Sequence, residues 1–407
     1  MYDFANSAFT TLVVTFVYAT YFTKAIAPDV ISGTVLWSRA ITVSSLVIAL
    51  TTPFLGALAD AGQRRKTFLL TSTAVAVFCS VMLYHPLPGQ VYQALFWFVL
   101  GNVAFETGCV FYNAFLPEVA PPDKIGSVSG IGWALGYLGG LAAMFIAMAT
   151  MVNPETPWFG LSRELGQNIR ATNILVALWF AVFSIPFFLF VREGETRAKS
   201  GVVISFADTC RDLWATMRDV GRLRDVFRFL VARLLYNDGL ITIFAFGGIY
   251  AAGTFAFTFQ EIMVFGIVLN VAAGLGALVF GFVDDRLGSR NTVQISLVGL
   301  TVAALTAVFA TEKSLFWLAG ILVGVFAGPN QSASRSLMAR IVPPDQKSRF
   351  FGFYAFSGKF TSFLGPLFLG LLTSFSGSQR VGFSVVIVFF VVGGWLLAGV
   401  KEGKNYK

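Results

Sequence analysis

Apolar runs of 18 to 28 residues recur along the whole chain, separated by short polar links. A helix that crosses a bilayer needs about 20 mostly apolar residues. Windows of that size predict twelve spans, at residues 2–25, 34–58, 67–84, 91–116, 127–150, 171–191, 228–252, 257–282, 292–311, 315–341, 350–374 and 380–400. The expected fold class is therefore an all-α integral membrane protein. Composition sharpens this: charged residues make up 12% of the chain and hydrophobic residues 56%, against about 25% charged in a soluble domain.

The links sort by charge. Those after spans 2, 4, 6, 8 and 10, with the C-terminus, carry Arg64, Arg65, Lys66, Lys124, Arg286, Arg290, Arg340, Lys347 and Arg349 among others. The opposite side holds Lys24, Arg163, Arg170, Lys313 and Arg380. The asymmetry predicts cytoplasmic termini. It also accounts for the net charge of +8 without nucleic acid. Three cysteines and one histidine, His85 in a loop-like YHPLPG context, leave no disulfide framework, metal spacing or buried histidine relay. No cofactor is expected. The first span is too long for a cleaved leader and lacks a basic flank.

The chain repeats itself. GALADAGQRRK from Gly56 matches GFVDDRLGSRN from Gly281 at an offset of 225, placing Asp60 over Asp285. VAPPDKIGSVSG from Val119 matches IVPPDQKSRFFG from Ile341 at 222, and Asn6 lies over Asp238 at 232. Two pseudo-symmetric six-helix bundles follow, residues 1–192 and 227–401, joined by a linker at 193–226. Within the linker Val203, Phe206, Cys210, Leu213 and Met217 recur at helical spacing. That stripe predicts an amphipathic helix on the membrane surface; a plain connector is the alternative. Span 1 has fewer residues before Asn6 than span 7 has between Arg228 and Asp238. The native polypeptide, or a longer homologue, is thus expected to start upstream of Met1.

The paired loops carry the first chemistry. Gly56, Asp60, Arg64 and Arg65, then Gly281, Asp285, Arg286, Gly288 and Arg290, resemble the loop signature of the major facilitator superfamily. The first copy departs from it, with Gly62 one position early and Ala61 where an arginine is usual. Glycine lets helices approach closely, and each aspartate suits the N-terminus of a helix in the other half, where free N–H groups and the dipole favour negative charge. The starts of spans 11 and 5, near Phe350 and Ser127, are the expected partners, and a gate is the expected role.

Polar groups inside the spans come next. Asn102, Glu106, Cys109 and Asn113 form one stripe on span 4, and Asp3, Ser7, Thr10 and Tyr21 share a face of span 1. Span 7 carries Arg233, Tyr236, Asn237 and Asp238; span 8, Gln260 and Glu261; span 10, Asn330, Gln331 and Arg335; span 11, Lys359. A central acid facing lipid costs about 2.5–3.5 kcal/mol, so ionisable groups here are expected to face the interior and to work. For Asn, Gln and Ser, an interhelical hydrogen bond is an equal alternative. Arg39 and Glu261 lie near the outer surface, where snorkelling suffices. GFYAFSGKF, from Gly352, imitates a phosphate loop but has the wrong spacing and Phe360 in place of Ser or Thr.

Several stretches together resemble one branch of the superfamily: YDFANSAF, FYNAFLPEV, GYLGG, RLLYNDG, FQEI, GPNQSASRSLMARIVP and FFGFYAFSGKFTSFLGP. They are similar to the autophagy-related vacuolar amino-acid effluxers and their bacterial relatives. The resemblance implies a twelve-helix facilitator fold and, in fungal members, release of neutral amino acids from the vacuole. The compact chain and short linker look bacterial, which points to the inner membrane. The expected function is alternating-access transport of a small metabolite, an amino acid first, by a monomer in lipid. A proton or sodium gradient would drive it, with Glu106 and Asp238 as coupling groups and Arg233, Arg335 and Lys359 as anion contacts. Alternatives are export of amphipathic drugs or lysolipids, and a non-transporting membrane sensor.

Overall fold

A computed structural model describes residues 1–62, 64–193, 224–257, 259–343, 346–362 and 364–402. Every regular element among them is helical. Twelve helical segments are long and apolar enough to cross a membrane: Tyr2–Ile26, Arg39–Asp60, Arg65–Met82, Val91–Val119, Ile125–Val152, Glu164–Phe190, Arg224–Gly248, Val264–Leu287, Ser289–Phe309, Lys313–Ile341, Lys347–Thr373 and Gln379–Ala398. They are spans 1 to 12 below, and each overlaps its predicted window. The linker's amphipathic stripe, Val203 to Met217, lies outside the described residues.

Several spans are less regular than their hydropathy implies, spans 11 and 1 among them. Span 11 is a single window in the sequence, but its helix ends at Lys359 and a second one begins at Leu364. Pro366 explains the break: it has no N–H to donate, and its ring collides with the carbonyl four residues back, at Ser362. Span 1 contains two widened π turns, Phe9–Phe16 and Phe22–Ile26. Within the first, the Thr15 hydroxyl donates to the Thr10 carbonyl, five residues back, at 2.9 Å. Such turns favour functional segments, and apolar periodicity does not reveal them.

The chain forms two compact units. One comprises Met1–Thr51, Gly62–Tyr112 and Leu135–Arg197; the other, Thr52–Ala61, Asn113–Ala134 and Ala198–Lys407. Their borders differ from the sequence halves 1–192 and 227–401, because one end each of spans 2, 4 and 5 groups with the second half. In the first unit the GYLGG stretch packs on span 1, where a Cβ at Gly139 would lie 2.3 Å from the Phe4 carbonyl oxygen. Tyr2 stacks on Tyr112 with ring centroids 4.6 Å apart.

In the second unit spans 8 and 10 make backbone contact, and a Cβ at Gly328 would lie 2.0 Å from the Ala273 carbonyl oxygen. Overpacking a core costs about 1–3 kcal/mol when side chains can shift; a backbone carbonyl cannot move aside. Gly328→Val is therefore expected to eliminate the monodisperse peak of detergent-extracted protein in fluorescence-detected size exclusion. Gly370→Val, at a site with nothing within 4 Å, is expected to keep it.

Candidate gate and intramembrane polar site

The two loop aspartates cap helices, at the helix starts the sequence points to. Asp60 accepts hydrogen bonds from the backbone N–H groups of Ser348 and Arg349, at 3.1 and 2.7 Å, in the first turn of span 11. Asp285 accepts from those of Gly126 and Ser127, at 2.7 and 2.9 Å, in the first turn of span 5, and from the Ser127 hydroxyl. The signature glycines make room: a Cβ at Gly56 would sit 2.3 Å from the Ser348 carbonyl oxygen, and one at Gly281 3.1 Å from the Gly130 Cα. Helix ends from both sequence halves are thus clasped within one compact unit.

The other loop residues divide. Arg64 and Arg286 are exposed. Arg65 is buried, and its backbone N–H donates to Glu193 at 2.7 Å. Arg290 donates from its guanidinium to the Ala398 carbonyl and from its backbone to Glu402.

Each capped aspartate contributes about 1 kcal/mol, up to about 2 where partly buried. The double variant Asp60→Asn, Asp285→Asn is expected to raise the labelling rate of a cysteine placed at buried Ser348 roughly tenfold, the equivalent of about 1.4 kcal/mol. The measurement uses a background whose native cysteines are replaced.

Sequence reasoning passed over the residue beside Asp285. Asp284 is 1% exposed. Its carboxylate accepts from Ser289 Oγ at 2.6 Å and from the Ser336 hydroxyl, with Arg340 at 3.6 Å. Arg340 also pairs with Asp285 at 3.1 Å and Glu402 at 3.3 Å. The signal was the acidic doublet: the first copy has Ala59 where the second has Asp284.

Arg335, expected as an anion contact, is bonded to the neighbouring spans. It is 4% exposed. Its Nε donates to Ser129 Oγ at 2.9 Å, one Nη to the Ser129 carbonyl at 2.7 Å, and the other to Asn113 Oδ1 at 3.5 Å. Asn113 and Arg335 are themselves related by the offset of 222. The geometry puts both among the contacts that join span 10 to spans 4 and 5.

Spans 7 and 11 meet at the helix break. Arg233 donates from Nη1 to the Tyr354 carbonyl at 2.7 Å and to Ser357 Oγ at 3.0 Å, its guanidinium 3.5 Å above the Tyr354 ring. Asn237 donates to the Gly358 carbonyl at 3.1 Å, and Tyr236 shares a hydrogen bond with Ser334 at 2.7 Å. Lys359 is the last residue of the first half-helix and half-buried. Asp238 is fully buried, and its carboxylate faces the Thr361 hydroxyl without a hydrogen bond of ordinary geometry. The Thr361 hydroxyl lies in the break itself and is buried. A Cβ at Gly365, in the second half-helix, would lie 3.0 Å from the Asp238 carbonyl oxygen. A bare carboxylate in this position is costly; a proton or a cation removes the charge.

The first unit holds the span 4 stripe. Asn102 donates to Ser44 Oγ of span 2 at 2.9 Å, and Asn6 to Cys109 Sγ at 3.8 Å. Glu106 between them is half-buried. Tyr112 donates to Asp3 at 2.7 Å. Asn330 bonds Ser296 of span 9 at 2.9 Å while 1% exposed, the interhelical alternative. Gln331 is half-buried. Glu261 is not in this setting: it forms a part-exposed pair at 3.0 Å with Lys313, the first residue of span 10. The side chain of Gln260 lies outside the described residues.

Twelve spans and a duplicated aspartate–glycine loop define a membrane transporter of the major facilitator type, not an enzyme. Solved structures share the fold. The human organic anion transporter MFSD10 superposes with a TM-score of 0.75 at 17% identity, over 97% of this chain and 96% of that one. FucP in the outward conformation gives 0.79 at 11% identity, over 99% and 97%. The chain belongs to the vacuole effluxer Atg22-like family, which matches residues 25–407. It is 27% identical to the MFS-type transporter YxiO of Bacillus subtilis, over 99% of this chain and 94% of YxiO. It is 24% identical to autophagy-related protein 22 of Cryptococcus neoformans, over 65% of this chain but 48% of that protein. The chain thus spans nearly all of the bacterial relative and about half of the fungal one.

Proposed function

We propose that this transporter moves a small neutral amino acid by alternating access, coupled to protons, in a bacterial inner membrane with its basic loops in the cytoplasm. The observation that carries the reading is Asp238, buried beside the break in span 11 with no cation paired to it and no hydrogen bond of ordinary geometry to its carboxylate among the described residues. A single buried carboxylate can take up a proton with no further ligand, whereas sodium would also need oxygens around it, and the Asp238 carbonyl is already accepting from Thr242 at 2.7 Å. Arg233 and Lys359 supply positive charge for a substrate carboxylate on the neighbouring turns. The family's description as a vacuole effluxer supports a metabolite substrate. The clasped helix ends support a gate, because contacts of about 1–2 kcal/mol hold a state and still release.

The test is uptake by proteoliposomes of a panel of labelled amino acids, with and without an imposed pH gradient. Accumulation of at least one neutral amino acid that collapses when protonophore is added is expected. Flux of lysolipids or cationic dyes with none of any amino acid would overturn the substrate assignment. Accumulation driven by sodium alone would overturn the ion.

A further inference from the structure

The link between spans 5 and 6 has a structure of its own. Span 5 is 28 residues long, which at 1.5 Å per residue is about 42 Å. A bilayer with its headgroup regions is about 40–45 Å thick. Span 5 starts on the side of the paired loops, where Asp285 caps Gly126 and Ser127. Its last residues, up to Val152, therefore reach headgroup level on the opposite side. Span 6 begins beside them, since Asn168 donates to the Met151 carbonyl at 2.9 Å. The link, residues 153–166, lies at that level. It is braced from within. Arg163 turns its guanidinium onto the carbonyls of Asn153 and Pro154, at 2.9 and 2.6 Å. The Ser162 N–H donates to Gln167 Oε1 at 3.0 Å, and the Ser162 carbonyl accepts from the Asn168 N–H at 3.0 Å. Tyr21 of span 1 donates to the Leu165 carbonyl at 2.7 Å, and a Cβ at Gly166 would lie 2.3 Å from the Tyr21 ring.

What this braced link presents outward is apolar. Trp158, Phe159 and Leu165 are 58%, 76% and 61% exposed. Phe159 and Leu165 also have φ angles of +63° and +49°, a left-handed conformation that a residue with a Cβ adopts only at a cost. Turns in water place glycine, asparagine or aspartate at such positions. Here two large apolar residues occupy them, and the backbone turns both side chains away from the protein. The charges of the link are disposed differently: Arg163 is bonded back to the chain, while Glu155 and Glu164 are exposed. The apolar surface does not begin with the link. Phe145, in the closing turns of span 5, is 73% exposed.

We propose that residues 153–166 form a lipid anchor: Trp158, Phe159 and Leu165 enter the boundary between headgroups and acyl chains in the leaflet away from the paired loops. Lipid is the occupant, and not a second copy or a soluble partner, because the patch lies at headgroup level and follows directly on the exposed apolar end of span 5. Tryptophan favours that boundary, where its ring meets both water and hydrocarbon. The anchor has a mechanical consequence. Through the Leu165 carbonyl it holds Tyr21, the residue just before the second π turn of span 1. One end of span 1 is thereby tied to one leaflet.

The full-length protein, its native cysteines replaced, is placed in phosphatidylcholine vesicles with a nitroxide at Phe159→Cys or at Glu155→Cys, an exposed position of the same link. Collision rates with oxygen and with a water-soluble nickel chelate give the depth of each label. The label at 159 is expected about 5–10 Å deeper than the label at 155, the depth of an interfacial apolar face. Equal depths, both in water, would overturn the anchor. So would dipolar broadening at 159 that vanishes on dilution with unlabelled protein, because it marks a contact between copies. If Phe159→Cys is not recovered folded, the tryptophan emission of the native chain decides. The component of emission lost in Trp158→Tyr should be one that brominated acyl chains quench in the parent. If that component resists quenching, the proposal is rejected.

Discussion

Asp238→Asn is expected to abolish accumulation of substrate against its gradient while sparing exchange across the membrane. The carboxylate is fully buried on span 7 and makes no hydrogen bond of ordinary geometry among the described residues. An amide of the same shape cannot take up and release a proton, so the coupled step disappears. The whole accumulation ratio goes with it, about tenfold for each 1.4 kcal/mol that the gradient had supplied. Counterflow needs binding and rocking only, and should stay within about threefold of the parent, since an isosteric amide removes charge and little packing. Glu106→Gln is the control: Glu106 is half-buried on span 4, and its loss should lower uptake with the pH dependence retained. Gradient-driven accumulation by Asp238→Asn would refute the coupling assignment.

Arg335→Ala carries the second-largest expected effect. This guanidinium, 4% exposed, makes two hydrogen bonds to Ser129 and one to Asn113. Hydrogen bonds from a charged group contribute about 1.5–3 kcal/mol each. Removing them also leaves the Ser129 carbonyl without this donor. A loss near 3 kcal/mol corresponds to more than a hundredfold in a two-state equilibrium. The variant should therefore melt earlier in detergent and rest with its gate unclasped, with uptake falling to background. Arg335→Lys keeps the charge but not the fork that spans the Ser129 hydroxyl and carbonyl together, and should recover part of the melting temperature and little transport. A variant that binds substrate poorly but melts like the parent would return Arg335 to the role of anion contact that its sequence position suggests.

The twelve spans were legible because bilayer thickness fixes their length and their apolar character, and the internal offsets set out the two halves. The helix caps of the paired loops were legible for a related reason. A glycine that permits close approach and an aspartate that suits a helix start each leave a trace in residue type, and the duplication makes the trace readable twice. What stayed hidden depends on partners distant in the chain. No local pattern says that Arg335 will be held by Ser129, or that Glu402 will cap span 9. Asp284 was masked by its neighbour, because an acid beside an acid reads as one feature until burial tells them apart. The break in span 11 had a visible cause in Pro366, but hydropathy averages over it, and a window of 20 residues sees one apolar run.

That break has an electrical consequence. An unbroken helix keeps its partial charges at its two ends, in the headgroup region. With span 11 divided between Lys359 and Leu364, the first half-helix places a negative end inside the span and the second a positive one, each equivalent to roughly half an elementary charge. Lys359 stands at the negative end, and the positive end begins at Leu364, beside the Gly365 that approaches the Asp238 backbone. The break in span 11 is thus a fixed electric doublet built from backbone alone, with two poles that no side-chain substitution discharges.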